Sequence, residues 1–181
     1  MDDALIVRSA GAADAGAIAS IYAYYVGSTP ITFEIDPPGA EEMAARIAAI
    51  AVRFPYLVAE HRGTVIGYAY ATELYARPAY RWAAETTVYL AMDRRGEGVG
   101  RKLYGTLLDA LRDRGFCAAI GKVTLPNDAS ARLHEALGFT LNGRLAAIGY
   151  KHGRWHDVGL YQVELAERPP LPAEPAHSDQ L

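Results

Sequence analysis

The chain is predicted to fold as one mixed α/β domain, with a central mixed sheet of about seven strands and helices on both faces. Its 181 residues match the length of a single domain, and 51% of them are hydrophobic, which is enough to build a core. Segments with strand-like alternation and segments with helical periodicity follow one another in the order β-αα-βββ-α-β-α-ββ. This order favours a sheet that is covered on two sides.

The first half of the chain predicts one strand, two helices and a hairpin. Asp14 is placed to cap the first helix, and Phe33 lies exposed in the loop between the two helices. The hairpin turns at Arg62 and Gly63. The predicted ranges are 5–8 for the strand, 14–26 and 40–53 for the helices, 29–38 for the loop, and 56–61 and 64–74 for the hairpin.

A proline-containing loop over 75–82 leads into the second half of the chain. Gly138 is placed to end a short helix as its C′ residue. The predicted elements are a strand at 85–91, a helix over 99–114, a strand at 116–123, a short helix over 129–137, and a hairpin of strands at 141–150 and 155–164. We predict a domain over 1–166 and a flexible, proline-rich tail over 167–181.

Composition and charge argue against several classes of protein. The net charge of −3 disfavours nucleic-acid binding, and the single Cys117 lies in an apolar run typical of a core position. The sequence has no signal pattern and no apolar stretch of 18 residues, so we expect a soluble, cytoplasmic protein without membrane contact. His152, Trp155 and His156 favour packing or a subunit interface, and no third ligand predicts a metal site there.

The run over 92–103 is glycine-rich and lies between a predicted strand and a predicted helix. Glycines at 96, 98 and 100 allow a tight turn and leave the backbone open to close approach. The first amides of a helix have no helical partner, which favours a bound phosphate. Four basic residues surround the turn: Arg94, Arg95, Arg101 and Lys102. The spacing fits neither the dinucleotide motif nor the P-loop, and an incidentally glycine-rich helix start stays open as an alternative.

The pattern Arg95-x-x-Gly98-x-Gly100 resembles the pyrophosphate-binding signature of the GCN5-related N-acetyltransferases. Segments 54–60, 125–128, 132–139 and 149–159 resemble the phosphinothricin / methionine sulfoximine N-acetyltransferase branch, and the match covers about 5–165. The resemblance implies acetyl-CoA as cosubstrate, acetylation of the α-amino group of small amino acids, and a homodimer. Acetylation of another amine, such as a polyamine or a protein N-terminus, and a non-catalytic acetyl-CoA-binding module are the alternatives.

The resemblance also implies which residues bind acetyl-CoA. In this fold the strands at 85–91 and 116–123 splay apart, and the opened edge accepts the pantetheine arm. The glycine-rich turn would bind the pyrophosphate, and Asn127 and Ser130 would lie near the pantetheine. The implied contacts are Val88, Tyr89, Leu90, Arg95, Gly96, Glu97, Gly98, Val99, Gly100, Arg101, Asn127 and Ser130.

Two residues are candidates for the proton transfers. Attack on a thioester needs a neutral amine, so a base must remove a proton. Glu85, at the start of the central strand, corresponds to a proposed catalytic glutamate of the family; a carboxylate that faces solvent or pairs with Arg81 is the alternative. His134 stands where many members have a tyrosine and would act as an acid or a second base. A structural hydrogen bond is its alternative role.

A substrate of this type needs donors for its carboxylate and for its distal oxygens. Arg77, Tyr80 and Arg81 could supply them, because arginine binds such anions through two parallel hydrogen bonds. Members that prefer phosphinothricin place a lysine just before this arginine, where this chain has Tyr75 and Ala76, and this disfavours phosphinothricin. The predicted substrate contacts are Phe33, Tyr75, Ala76, Arg77, Tyr80, Glu85, Thr86 and Thr87.

Overall fold

The computed structural model describes residues 4–176, which form a seven-stranded mixed sheet with the strand order β1-β2-β3-β4-β5-β7-β6. All neighbouring strands are antiparallel except β4 and β5. The strands are β1 (Ile6–Ser9), β2 (Tyr56–His61), β3 (Thr64–Glu73), β4 (Ala83–Leu90), β5 (Ala118–Leu125), β6 (Thr140–Lys151) and β7 (Arg154–Glu164). The helices are α1 (Ala15–Ser28), α2 (Ala40–Ala51), α3 (Val99–Asp113) and α4 (Asp128–Ala136). The predicted order and fold class are confirmed.

Alternate residues of the central strands pack on opposite faces of the sheet. Leu57 of β2 joins the core beneath α3, whereas its neighbour Val58 joins the core beneath α1 and α2. Leu103, Leu107 and Leu111 form a fully buried stripe along α3. Burial of each such leucine contributes roughly 1.5–3 kcal/mol. The stripe therefore anchors α3, and with it the glycine-rich turn, against the sheet.

Strands β4 and β5 pair over only part of their length. The parallel register joins Ala83 to Ala118 at one end and Thr86 to Gly121 at the other, and the pairing stops there. Both strands continue beyond this point in an extended conformation. The strands therefore diverge towards their carboxyl ends, and the predicted splay is confirmed.

Two local predictions about acidic residues are wrong. Asp14 precedes α1 but makes no side-chain cap to it, because its carboxylate accepts hydrogen bonds from the Arg8 guanidinium and the Gly11 amide. The Arg8 hydrogen bonds lower the pKa of Asp14. Glu85 is the third residue of β4 and not its first, because the strand begins at Ala83. Cys117 is buried, as predicted.

Residues 167–176 lie along the body of the protein near the start of β4. The Trp82 indole donates to the carbonyl of Ala173 at 2.7 Å, and Arg81 pairs with Glu174. The predicted tail boundary after residue 166 stays a prediction, and 177–181 lie outside the described residues. Over residues 4–176, none of the helices is both long and apolar enough to cross a membrane.

Candidate active site

The glycine-rich turn between β4 and α3 is open at the amino end of the helix. Gly96 and Gly98 have φ angles of +85° and +78°, and a Cβ at either position would meet no atom within 4 Å. The Lys102 amide donates to the Gly98 carbonyl at 3.1 Å and begins the ladder of α3. The amides that precede it have no helical acceptor, so they point out of the helix as donors. This turn has the geometry of an anion site.

Tyr25 of α1 fixes an arginine beside this turn. Its hydroxyl donates to the Leu90 carbonyl at 2.6 Å and accepts from Arg95 Nη2 at 2.8 Å. The Arg95 guanidinium also lies 5.3 Å from the centroid of the Tyr25 ring. Sequence reasoning assigned Tyr25 no role at the site, because helical periodicity indicates only that it shares a packing face with Tyr22.

A cavity of about 280 Å³ extends from the turn along the diverging strands. It brings together nine of the predicted coenzyme contacts: Val88, Leu90, Arg95, Gly96, Gly98, Gly100, Arg101, Asn127 and Ser130. Asn127 also caps α4, through a hydrogen bond from the Ser130 amide. Tyr89, Glu97 and Val99 do not line this cavity. Tyr89 packs among the tyrosines beneath α1, and Val99 lies in the core beneath α3.

The backbone of β4 determines which of its residues face the gap. Successive residues of an antiparallel strand direct their amide and carbonyl groups to opposite sides. The Ala91 amide donates to the carbonyl of Ile66 in β3 at 2.8 Å, so the backbone groups of Tyr89 also face β3. Val88 and Leu90 consequently face the gap. The Leu90 carbonyl already accepts the Tyr25 hydroxyl, which leaves Val88 as the main backbone contact for a ligand lying in the gap.

A second cavity of about 270 Å³ adjoins the first at Ile31, Val88 and Ser130. It is lined by three predicted coenzyme contacts, Val88, Tyr89 and Ser130. It also brings together five of the predicted catalytic and substrate-binding residues: Phe33, Glu85, Thr86, Thr87 and His134. Sequence reasoning did not single out the others that line it, among them Tyr22, Tyr70, Lys122, Thr124 and Val158. The two cavities therefore lie side by side between the glycine-rich turn and Glu85.

Glu85 forms an ion pair with Lys122 of β5. Lys122 Nζ lies 2.6 Å from Glu85 Oε2, and the two side chains are 39% and 25% exposed. The alternative pairing with Arg81 is wrong, because that guanidinium pairs with Glu174. Glu85 is therefore a partly exposed carboxylate with an ion-pair partner beside it, and it lines the cavity.

His134 lies buried between α4, α3 and β5, at 4% exposure. Its Nδ1 is 2.8 Å from the Ser130 carbonyl, which can only accept, so Nδ1 carries the proton. Its Nε2 then accepts from the Tyr104 hydroxyl, which lies 3.2 Å away. Burial lowers the pKa of His134, against a smaller opposing effect of the Ser130 hydrogen bond. The imidazole is neutral at neutral pH.

Gly121 of β5 makes room for this imidazole. A Cβ at position 121 would lie 2.7 Å from Cδ2 of His134 and closer still to its Nε2. The Tyr104 hydroxyl would lie 3.3 Å from the same Cβ and is also 2.7 Å from Thr86 Oγ1. Gly121 and Tyr104 thus set the position of His134, and neither was recognised in the sequence.

The 29–38 loop forms one wall of the second cavity and is held against the β6–β7 hairpin. Lys151 Nζ donates to the Thr32 carbonyl at 2.8 Å, and desolvation lowers the pKa of this lysine. The Phe33 ring lies over Gly149, where a Cβ would come within 2.7 Å of three ring atoms. Phe33 is 37% exposed, so it covers the cavity without being buried.

Four predicted substrate contacts lie outside both cavities: Tyr75, Ala76, Arg77 and Tyr80. All four are exposed, and the Tyr75 and Tyr80 rings contact each other at a centroid distance of 4.9 Å. The loop that contains them precedes the amino end of β4, whereas the strands diverge towards their carboxyl ends. Their contact with substrate stays a prediction.

The histidines of the last hairpin have separate surroundings. His156 is buried, with Nε2 3.1 Å from the Lys151 carbonyl, and His152 is exposed. Trp155 is 63% exposed, so it is not a core residue. In the part of the chain that the structure describes, no group of three or more His, Cys, Asp or Glu side chains is arranged to hold a metal ion.

Comparison with known proteins gives close relatives over nearly the whole chain. The phosphinothricin N-acetyltransferase of Streptomyces viridochromogenes is 42% identical over 170 residues, which cover 93% of each chain. The L-methionine sulfoximine/L-methionine sulfone acetyltransferase of Salmonella typhimurium is 33% identical over 164 residues, covering 90% of this chain and 96% of the relative. The branch resemblance seen in the sequence is confirmed.

Solved structures also match the fold over nearly the whole chain. A GNAT superfamily phosphinothricin acetyltransferase from Sinorhizobium meliloti, in complex with acetyl-CoA, has a TM-score of 0.90 and 39% identity, covering 98% of this chain and 97% of that one. An acetyltransferase from Salmonella typhimurium with its cofactor acetyl-CoA has a TM-score of 0.89 and 33% identity, covering 94% and 98%. A sequence profile of the acetyltransferase (GNAT) domain matches residues 7–160. The chain therefore belongs to the GNAT acetyltransferase family.

Proposed function

We propose that this chain is an acetyl-CoA-dependent N-acetyltransferase that acts on the α-amino group of small amino acids. The substrates are of the methionine sulfoximine, methionine sulfone and phosphinothricin type, which the relatives' names support. The observation that carries the proposal is the adjacency of two cavities, one at the glycine-rich turn and one that contains Glu85 and His134. This arrangement suits a long cosubstrate in the first cavity and a small amine in the second.

The residues that line the first cavity fit acetyl-CoA. The outward amides at the start of α3, together with Arg95 and Arg101, suit its pyrophosphate. The backbone of Val88 and the side chain of Asn127 suit the amides of its pantetheine arm. Bound here, acetyl-CoA supplies an activated acetyl group as a thioester. The chain's own residues must then orient the amine and accept its proton.

Glu85 is the proposed base. Its carboxylate lines the cavity, and an ionised carboxylate is an acceptor only, so it can receive the amine proton directly or through one water molecule. His134 is the second candidate. Because its lowered pKa keeps the imidazole neutral, His134 suits the role of second base or positioning residue better than the role of acid.

Release of thiol from acetyl-CoA tests the proposal. The amines are methionine sulfoximine, methionine sulfone, phosphinothricin, spermidine and a peptide with a free N-terminus. We expect turnover of the amino acids, and Glu85→Gln lowers kcat by about 10²- to 10⁴-fold. Glu73→Gln is the matched control, since Glu73 pairs with Arg53 outside both cavities.

Two outcomes would contradict the proposal. Turnover of spermidine or the peptide alone would identify a different amine as substrate. Coenzyme binding without thiol release from any amine would identify a non-catalytic acetyl-CoA-binding module.

We also propose a homodimer formed through the β6–β7 hairpin. Edge strand β6 and its neighbour expose Ile148, Tyr150 and Trp155 at 57–63%, with the two aromatic rings 5.2 Å apart. Soluble monomers seldom leave such a patch uncovered. Light scattering after size exclusion should give twice the monomer mass, and Trp155→Asp should lower it. Leu171→Asp, at an exposed position outside the hairpin, is the control. A monomeric wild type would refute this assembly.

The cytoplasm is the proposed compartment. Cys117 is the single cysteine of the chain, and it is buried and unpaired, as is common in reducing compartments.

A further inference from the structure

Lys122 introduces positive charge into the second cavity. Among the lining residues that the structure describes, it is the only one with a cationic side chain. Nearby cations are engaged elsewhere: Lys151 Nζ donates to the Thr32 carbonyl, and Arg46 pairs with Glu34 and Glu42. Among the described lining residues, a carboxylate that enters this cavity therefore meets one cationic side chain, that of Lys122.

The splay of the sheet exposes this lysine beside the proposed base. Lys122 is the first residue of β5 beyond the last β4–β5 pair, which joins Thr86 to Gly121. Its side chain reaches across the start of the gap to Glu85, with 2.6 Å between the charged atoms. The cavity thus presents a positive and a negative group next to each other at the point where the strands separate.

An α-amino acid has the complementary arrangement. Its ammonium and carboxylate groups are bonded to the same carbon, so two opposite charges lie side by side. An ion pair as exposed as Lys122–Glu85 contributes little to folding stability, so exchanging its partners for those of a ligand costs little. Both protein charges would stay paired after the exchange, which avoids the penalty of an unpaired buried charge.

We infer that Lys122 binds the α-carboxylate of the substrate while Glu85 receives the α-ammonium group. This inference rests on the proposed function and deepens it, because it makes Lys122 the residue that selects α-amino acids over other amines. Amines without a carboxylate, and the amides of amino acids, lack the group that Lys122 binds. Selectivity for the free α-carboxylate therefore comes from a β5 side chain.

The experiment compares two probes that differ only in the α-carboxylate: L-methionine sulfone and its α-carboxamide. Each is assayed at saturating acetyl-CoA with wild type, Lys122→Met and Lys122→Arg. Loss of a charge-assisted hydrogen bond predicts that K122M lowers kcat/KM for the amino acid by about 10- to 100-fold. We expect less than about a threefold change for the carboxamide, and K122R should restore most of the loss. Arg168→Met, which breaks an exposed ion pair with Glu164, is the control.

For each probe, kcat/KM of the wild type is divided by kcat/KM of the variant. This ratio removes the intrinsic difference in amine basicity between the two probes. An equal loss for both probes would mean that Lys122 acts only through Glu85, and no loss for either would place the carboxylate elsewhere; each result overturns the inference. Wild-type turnover of methionine sulfone tests the proposed function separately. If the wild type does not turn over methionine sulfone, calorimetric titration of methionine sulfone into the enzyme–coenzyme complex tests the inference by binding alone. Equal affinities of wild type and K122M would then overturn it.

Discussion

Replacement of Gly121 by alanine tests how His134 is seated. The added Cβ would lie 2.7 Å from Cδ2 of the imidazole, and still closer to Nε2, on a strand that is paired on both sides. Hydrogen bonds on both sides hold the strand in place, so the imidazole ring must move instead. Moving the ring away from β5 also lengthens the hydrogen bond that links His134 to Tyr104.

The magnitude follows from three contributions. Overpacking of this kind costs about 1–3 kcal/mol, and the lost hydrogen bond costs about 1 kcal/mol more. Alanine regains about 0.5–1 kcal/mol over glycine within a strand. Gly143→Ala in β6 is the matched control, because its Cβ would meet Leu160 at an ordinary 3.7 Å. The difference between the two variants therefore isolates the clash, at about 2–4 kcal/mol or roughly 4–16 °C in Tm for a chain of this size.

Thermal unfolding followed by circular dichroism measures this difference, and thiol release on the same samples measures activity. We expect G121A to melt below G143A and to lose turnover, while its affinity for coenzyme A stays within about twofold. Equal melting temperatures for the two variants would refute the reasoning, because His134 would then not lie against β5.

Three further predictions follow from the site. Tyr25→Phe removes both hydrogen bonds of the hydroxyl and should weaken coenzyme A binding by about 5- to 10-fold in calorimetry. Burial holds the pKa of His134 below 6.5 in the folded protein, so near this pH the unfolded chain binds more protons than the folded one. The urea concentration at the unfolding midpoint should therefore fall as the pH drops below 6.5. Gly149→Ala displaces the Phe33 ring and should raise KM for the amine by about 3- to 10-fold, with KM for acetyl-CoA unchanged.

Each of these has its own control. Tyr24→Phe, on the neighbouring exposed tyrosine, should bind coenzyme A as wild type does, and an equal loss in both variants would argue against the Tyr25 contacts. His134→Gln should flatten the dependence of the urea midpoint on pH between 5.5 and 7.5; an unchanged slope would contradict a neutral buried imidazole. An unchanged amine KM in G149A would remove Phe33 from the substrate wall.

The parts of the fold that were predicted correctly depend on local pattern. The apolar stripe of α3 repeats every three to four residues and has a single interpretation. Gly138 was expected to end α4, and it has a φ of +87°. The glycine-rich turn was placed correctly for the same reason, because the positive φ angles of Gly96 and Gly98 require the residue type that the sequence shows.

Contacts between distant segments could not be predicted in this way. Asp14 has the position and chemistry of a helix cap, yet its carboxylate accepts hydrogen bonds from the guanidinium of Arg8 in β1. Tyr25 and Tyr104 act through partners 65 and 30 residues away. Nothing in the neighbourhood of either tyrosine in the sequence encodes such a partner, since packing of α1 and α3 on opposite faces of the sheet decides it.

The substrate end of the site shows the same limit most clearly. Position in the sequence made Arg81 the candidate counterion of Glu85, because it precedes the central strand, yet Arg81 pairs with Glu174. Which cation reaches Glu85 depends instead on the register of two parallel strands that are joined through a helix, and that register aligns Glu85 with Ile120. The side chain two residues further along β5 shares the face of Ile120, so Lys122 meets the carboxylate just where hydrogen bonding between the strands ends. A shift of one residue in this register would turn Lys122 to the other face, towards α3, and would leave Glu85 without its counterion.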